Sequence, residues 1–284
     1  MRIANIGNRL NLVVPGGAID VEKASDGLFS ADPAAVYDRW AEFRRWVESG
    51  PETGFEAGPD PIDERVLGAP SPRPRQVFSI GANYPDHAAE ADFPLPEVME
   101  VFCKFPSSIT GPNADVPLPK PTVDWEAELV VIIGSEAHRV SEDTAWGYVA
   151  GVTAGQDYSE RERQMASTQW GLAKSYPAFG PTGPWLVTAD ELPDPDDIEI
   201  SCTLNGELVQ HARTSRMIYS VPQIVAELST FCTLYPGDVI FTGTMSGVGL
   251  LRKPPCYLKP GDVVVTEVNG VGLLRNTMVA GGNA

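Results

Sequence analysis

From Gln76 to its C-terminus the chain is cut by glycine and proline into short apolar runs, and this rhythm limits the folds open to it. Runs at 77–81, 101–105, 126–134, 148–156, 198–204, 239–242 and 263–268 have the length and the Val, Ile and Phe content of strands. Helices are expected at only three places in this region: 86–91, just after Ser159, and from Val221 to about Phe231. Pro236-Gly237-Asp238 and Pro260-Gly261-Asp262 each precede a Val-rich strand. Pro followed by Gly suits a type II turn, so two hairpin entries are expected there. Strands without regular alternation with helices predict an α+β architecture rather than a doubly wound sheet.

The first 50 residues have a different texture and read as a small unit of their own. Residues 2–14 suggest strand and turn. A helix is expected to start with Asp32 as N-cap and Pro33 at its first position, with Val36, Trp40, Phe43 and Val47 on one stripe. From Pro51 to Arg75 there are six prolines and three glycines and little apolar periodicity, so this stretch reads as a linker or an irregular wrapping segment. The expected division is a small N-terminal domain with its Pro-rich linker at 1–72 and a catalytic domain at 73–284.

A formal charge of -17 and a pI near 4.5 argue against nucleic acid or an anionic membrane as partner. The start of the chain has no apolar stretch of signal-peptide length, and its longest aliphatic run, 129–133, is far too short to span a bilayer. Cys103, Cys202, Cys232 and Cys256 are widely spaced and form no metal-binding pair, so reduced thiols and a cytoplasmic location are expected.

Chemistry concentrates in a few segments. In Asp124-Trp125-Glu126-Ala127-Glu128 the two glutamates open a strand. Alternation along a strand points both the same way, with Cα atoms roughly 6.5–7 Å apart, so both carboxylates can lean onto one cation. Two solvated glutamates at an exposed strand start fit the residues equally well. Asp157 follows a strand and precedes Ser159-x-x-Glu162, a capping-box pattern, and could point into the same site. Three hard oxygen ligands favour Mg²⁺, with Mn²⁺ or Ca²⁺ possible, over Zn²⁺. His87 and Glu90 are neighbours on a helical turn and could form a carboxylate-oriented base, or merely a surface ion pair. Arg161 and Gln164 share a helical face after Asp157, and Lys174 has apolar neighbours on its N-terminal side. His138 and His211 read as surface residues. The run from Thr242 to Gly249 lacks the order of a phosphate-binding or dinucleotide loop, which excludes nucleotide binding.

In their order along the chain these segments resemble the fumarylacetoacetate hydrolase family, in its 2-hydroxyhepta-2,4-diene-1,7-dioate isomerase and acylpyruvase branch. The resemblance runs from Phe78 to Val279, roughly 70% of the chain. It rests on Gly81-Ala-Asn-Tyr-Pro-Asp-His-Ala-Ala-Glu90, Lys104-Phe-Pro-Ser-Ser108, Asp124-Trp-Glu-Ala-Glu128, Gln156-Asp-Tyr-Ser-Glu-Arg161 and Leu172-Ala-Lys-Ser175. Asn205-Gly-Glu207, Thr214-Ser-Arg-Met-Ile218 and the stretch from Leu234 to Thr244 complete it. The resemblance implies a layered β-sheet (β-sandwich roll) fold with a small N-terminal domain, and a homodimer. It implies that Glu126, Glu128 and Asp157 hold the metal and that His87 with Glu90 activates water on a mobile lid. Lys174 joins them as a catalytic residue, and Tyr84, Arg161, Gln164 and Thr244 are the implied substrate contacts. Met245, where the family often has proline, Pro85 inside the His87 motif, and the variable stretch 92–98 bear on specificity.

The expected activity is metal-assisted hydrolysis of a C–C bond in a small 1,3-diketo or 2-oxo acid. Decarboxylation of an oxaloacetate-type acid, tautomerisation of a 2-oxo-enoate, or hydration are alternatives at the same metal. A non-catalytic binder of 2-oxo acids is a further reading, one that would need no His87.

Overall fold

The structure of the chain, a computed structural model, describes residues 1–50, 60–92 and 94–281. Two sheets are layered on each other, as expected for an α+β fold with few helices. The larger has eleven strands among the described residues. Its main path runs Gly17–Asp20, Arg9–Val14, Arg2–Ile6, Gly180–Val187, Val149–Gln156, Ala127–Ile133, Val239–Phe241, Val77–Ile80 and Val101–Cys103. Pairing is antiparallel along this path except between Val239–Phe241 and Val77–Ile80. The smaller sheet runs Glu207–Arg213, Glu199–Leu204, Val263–Val268, Gly272–Ala280 and Asp115–Leu118.

Ala127–Ile133 and Val149–Gln156 are buried along their whole length, because both faces of the large sheet are covered. Side-chain alternation divides one strand between two cores. Leu129, Val131 and Ile133 pack with Ile200, Cys202, Val264 and Leu274 of the small sheet. Val130 and Ile132 pack on the other side with Ile3, Leu12, Trp40 and Phe43 of the N-terminal unit. That unit also continues the sheet, since Arg2 and Ile3 pair with Val187 and Leu186.

Several local expectations change. The α-helix of the N-terminal unit is Trp40–Ser49, preceded by a 3₁₀ turn at Tyr37–Arg39, so its start lies beyond Asp32. The Asp32 carboxylate instead accepts from the Ala34 amide at 3.0 Å and stabilises the turn before the helix. Residues 51–59 of the Pro-rich stretch lie outside the described residues. The remainder wraps the domain: Leu67–Gly68 pairs with Asn5 and Ile6, and Ser71 Oγ donates to the Gly237 carbonyl. Both Pro-Gly-Asp segments are type II turns, with φ of 86° at Gly237 and 94° at Gly261. The first leads into Val239–Phe241, which pairs only with strands far back in the chain, so it enters no hairpin among the described residues. The second leads into Val263–Val268, which does form a hairpin with Gly272–Ala280. The central strand Gly180–Val187 was not expected at all, since two glycines and two prolines break its apolar signal. Among the described residues no helix is long and apolar enough to cross a membrane.

Candidate metal and active site

The strand Ala127–Ile133 and its neighbour Val149–Gln156 bring three carboxylates together at one end. The Asp157 amide donates to the Glu126 carbonyl at 2.9 Å, which fixes the two chain segments side by side. Carboxylate oxygens of Glu126, Glu128 and Asp157 all lie within 4.8 Å of one another, and all three residues are buried. The exposed strand start that the residues alone allowed is therefore excluded.

Such a cluster cannot stand without positive charge nearby. The structure supplies three buried cations. Lys174 Nζ donates to Glu126 Oε2 at 2.5 Å and to Asp157 Oδ2 at 2.9 Å. Lys104 Nζ donates to Asp157 Oδ1 at 2.7 Å and to the carbonyls of Lys174 and Phe179. Arg161 donates to Glu126 Oε1 at 2.6 Å and to Asp124 Oδ2 at 2.9 Å. Four buried carboxylates, with Asp124, thus face three buried cations.

Charge is shared unevenly. Burial alone would raise Glu126, but Lys174 and Arg161 outweigh it and hold the carboxyl down at about 2. Glu128 goes the other way: burial first, then the neighbouring Asp157 and Glu126, push it well above the carboxylate range. Its one hydrogen bond among the described residues comes from the Gly243 amide at 2.7 Å. Burial pulls the Lys104 ammonium down, whereas Lys174 is held up by Asp157 and Glu126 against the same effect. A divalent cation fits this donor set. The three carboxylates offer hard oxygen donors, they converge, and among the described residues no cation pairs with Glu128.

The loop after Val239–Phe241, with no nucleotide-binding order, turns out to organise the site through its amides. Gly243 donates to Glu128, Gly247 to both oxygens of Glu90, and Gly249 and Leu250 to the two oxygens of Asp124. Close approach requires glycine: a Cβ on Gly249 would sit 1.9 Å from the Cys256 carbonyl. Gly243 and Gly247 also have φ of 98° and 102°.

On the helix Pro85–Glu90, His87 Nδ1 lies 3.5 Å from Glu90 Oε2 and has no hydrogen-bond partner among the described residues. The Glu90 carboxyl is depressed, despite partial burial, by His87 and the Gly247 amide. Pro85 is the first residue of this helix and Tyr84 its N-cap. The Tyr84 hydroxyl is buried without a partner among the described residues, and burial, aided by Glu128, raises its pKa.

A cavity of about 790 Å³ opens above the carboxylates. His87, Glu126, Arg161, Gln164, Lys174 and Thr244 line it. Glu90, Glu128, Asp157 and Tyr84 are not among its lining residues. The Thr244 hydroxyl is already committed, donating to the Ala127 carbonyl and accepting from Gln210. Gln164 accepts from Arg161 through Oε1, and its Nε2 has no partner among the described hydrogen bonds. Ser159 does not cap the helix Arg161–Met165. Its hydroxyl donates to the Asp157 carbonyl, and Glu160 is the N-cap. His138 and His211 are exposed, as expected. Lys104 and Asp124 were missed as site residues, although both stand in motifs that carried the family resemblance.

Residues 76–279 match the family described as Fumarylacetoacetate (FAA) hydrolase C-terminal. The chain belongs to the fumarylacetoacetate hydrolase family. This member is 44% identical over 223 residues to the human mitochondrial oxaloacetate tautomerase FAHD2A, a match spanning 77% of this chain and 71% of that protein. Its fold is similar to that of an HpcE protein from Mycobacterium smegmatis, with 48% identity and a TM-score of 0.92 over 99% of this chain and 100% of the other. It is also similar to a maleylpyruvate hydrolase from Sphingobium sp. SYK-6, whose crystal structure holds manganese (II) and pyruvate. There the identity is 27% and the TM-score 0.82, over 99% of this chain and 100% of that one.

Proposed function

We propose that this family member is a divalent-metal-dependent hydrolase that cleaves a C–C bond in a 1,3-diketo 2-oxo acid. The observation that carries the reading is the convergence of Glu126, Glu128 and Asp157 within 4.8 Å beside a cavity whose wall holds Glu126 and His87. Glu126, Glu128 and Asp157 would hold Mg²⁺, Mn²⁺ or Ca²⁺. When bound, the cation supplies Lewis-acid polarisation of the 2-oxo acid end of the substrate.

The protein's own groups do the rest. Glu90, anchored by Gly247 and 3.5 Å from His87 Nδ1, would orient the imidazole on closer approach and leave Nε2 to accept a proton from water. The hydroxide so formed adds to the distal carbonyl, and Lys174 with the Gln164 amide stabilises the developing oxyanion. Collapse breaks the bond to the central carbon. One product leaves as a carboxylic acid, the other as the enolate of a 2-oxo acid, which His87 reprotonates. Arg161 holds Glu126 and Asp124 in place while its helix presents Gln164 to the cavity. Thr244 belongs to the proposed substrate wall, and Tyr84, which is not among the lining residues, would act as a substrate contact only if the helix Pro85–Glu90 moved.

Keto–enol tautomerisation is a second reading, supported by the 44% identity to an oxaloacetate tautomerase. It uses the same base and no nucleophilic water. A non-catalytic role is disfavoured by His87, a base with an unpartnered nitrogen beside a carboxylate. Product analysis separates the readings: an acylpyruvate incubated with the Mg²⁺- or Mn²⁺-loaded enzyme should yield pyruvate and a free acid. Enol decay without fragments would support tautomerisation instead. His87→Ala should abolish either reaction while leaving Mn²⁺ binding intact, and a fully active variant would remove His87 from the mechanism. The proposal includes a homodimer, checked by light scattering against twice the chain mass of 30.6 kDa. It also includes a cytoplasmic location, supported by four cysteines without disulfides and checked by fractionation.

A further inference from the structure

The cavity is far larger than a four-carbon acid needs, and its two ends differ in chemistry. At the floor, every cation is committed: Lys174 to Glu126 and Asp157, Arg161 to Glu126 and Asp124. The uncharged lining includes Ile80, Phe102, Trp170, Val248 and Leu250, and the Phe102 ring lies 5.1 Å from Lys174 Nζ. Phe102 and Trp170 meet edge to face at 5.5 Å, which gives the cavity a rigid aromatic side that leads away from Lys174. Leu95 and Met165 extend the apolar surface to the rim, where they are exposed.

The charged groups at that rim are acidic. Glu97 and Glu100 both line the cavity. Glu100 is held against the wall: its carbonyl accepts from the Gly81 amide at 2.8 Å, and Oε2 lies 3.2 Å from where a Gly81 Cβ would be. Among the described lining residues, the groups that carry or can carry positive charge are Arg161, Lys174 and His87, all at the catalytic end. Arg252 is turned elsewhere, over the Trp125 ring at 5.5 Å. A second carboxylate at the far end of a substrate would therefore meet apolar side chains and two glutamates, with no cation to receive it.

We propose that the substrate of this site is a 2-oxo acid whose far end is bulky, apolar and uncharged, so that dicarboxylic 2-oxo acids are selected against. The inference rests on the reading that the carboxylate cluster binds the 2-oxo acid head. It sets this chain apart from relatives and neighbours named for oxaloacetate or a heptadiene dioate, both of which are dicarboxylates.

Binding separates the inference from the reaction. Calorimetric titration of the Mn²⁺-loaded enzyme with 2-oxooctanoate and with 2-oxooctanedioate compares the same head and chain length with and without a distal carboxylate. The monoacid should bind at least tenfold more tightly. Trp170→Ala should weaken the monoacid while leaving Mn²⁺ affinity unchanged. The pair Glu97→Gln and Glu100→Gln should improve the dioic acid selectively and narrow the gap. Equal or tighter binding of the dioic acid overturns the inference, as does failure of both acids to bind. Strong monoacid binding without fragmentation of any acylpyruvate would overturn the hydrolase reading alone.

Discussion

Gly247 and Glu90 are 157 residues apart, yet the amide of the first donates to both carboxylate oxygens of the second, at 3.2 and 3.0 Å. The contact ties the helix of His87 to the loop that also holds Glu128 and Asp124. Gly247 has φ of 102°, and a Cβ there would lie 2.0 Å from the Val209 carbonyl. Gly247→Ala should cost about 1–3 kcal/mol of stability through backbone strain. Its larger effect should fall on kcat, because Glu90 loses its anchor. A variant destabilised in urea but with unchanged kcat would show that the loop does not position the base.

Lys104 is a structural cation in this scheme. All its donors are used, on Asp157 and two carbonyls, and it is absent from the cavity wall. Lys104→Met strands these acceptors in a dry interior and should cost about 3–5 kcal/mol, the range for breaking a buried ion pair. Denaturant unfolding measures it. Lys174→Met, by contrast, should depress kcat even where the folded protein is recovered in full.

Glu128 tests the metal directly. Its carboxyl is pushed up by burial and by two neighbouring carboxylates, so the neutral isostere should be well tolerated without metal. Glu128→Gln should keep or raise the melting temperature in chelator. Loss of an outer partner alone can weaken metal affinity 10–100-fold, so loss of this ligand should weaken Mn²⁺ affinity by at least about 100-fold. Calorimetry in the presence and absence of Mn²⁺ gives both numbers. Unchanged affinity would exclude Glu128 as a ligand.

Alkaline pH should unfold the protein well before its arginines titrate. Burial pushes the Cys202 thiol from its ordinary 9.0 up to about 12, against the weaker help of Thr266 and Gln156. Burial also raises Tyr158, Tyr37 and Tyr84. A raised folded pKa means that the folded state keeps its proton longer. The stability is therefore complete below pH 9 and is lost as pH climbs toward 12. Each such group contributes a slope of about 1.4 kcal/mol per pH unit in that window. Urea midpoints between about pH 8 and 11 measure it, and Cys202→Val should flatten the slope.

The proposed division at residue 72 has a measurable consequence. Ile3, Leu12, Trp40 and Phe43 share a core with Val130, Ile132 and Phe241. A chain beginning at residue 73 would leave that face uncovered and strand 180–187 without its neighbour. It should aggregate or bind hydrophobic dye at room temperature. A soluble, cooperative fragment would show that the division is one of stability as well as of sequence.

Much of this molecule is legible in the order of its residues. Glu126 and Glu128 stand two apart in sequence, so alternation puts them on one side of the chain, while Asp157 joins them only through the pairing of Ala127–Ile133 with Val149–Gln156. Asp32 and Ser159 are ambiguous, because a capping side chain also serves turns, and only the surrounding packing decides which. Gly180–Val187 is hidden, because proline and glycine weaken a strand signal even where a bulge accommodates them in a central position.

Local spacing, then, determined seven strand segments between residues 77 and 268, two Pro-Gly turns and the candidate carboxylates, because these follow from backbone geometry over a few residues. Tertiary structure decided which charges meet. Lys104 reaches Asp157 across 53 residues, and Gly249 reaches Asp124 across 125. Such pairings depend on which sheet edge faces which loop, and a buried charge selects its partner by distance in space, not by separation in sequence. The carboxylates were visible as a set of candidates, but the three cations and the amides that make their burial tolerable appeared only once the chain was folded.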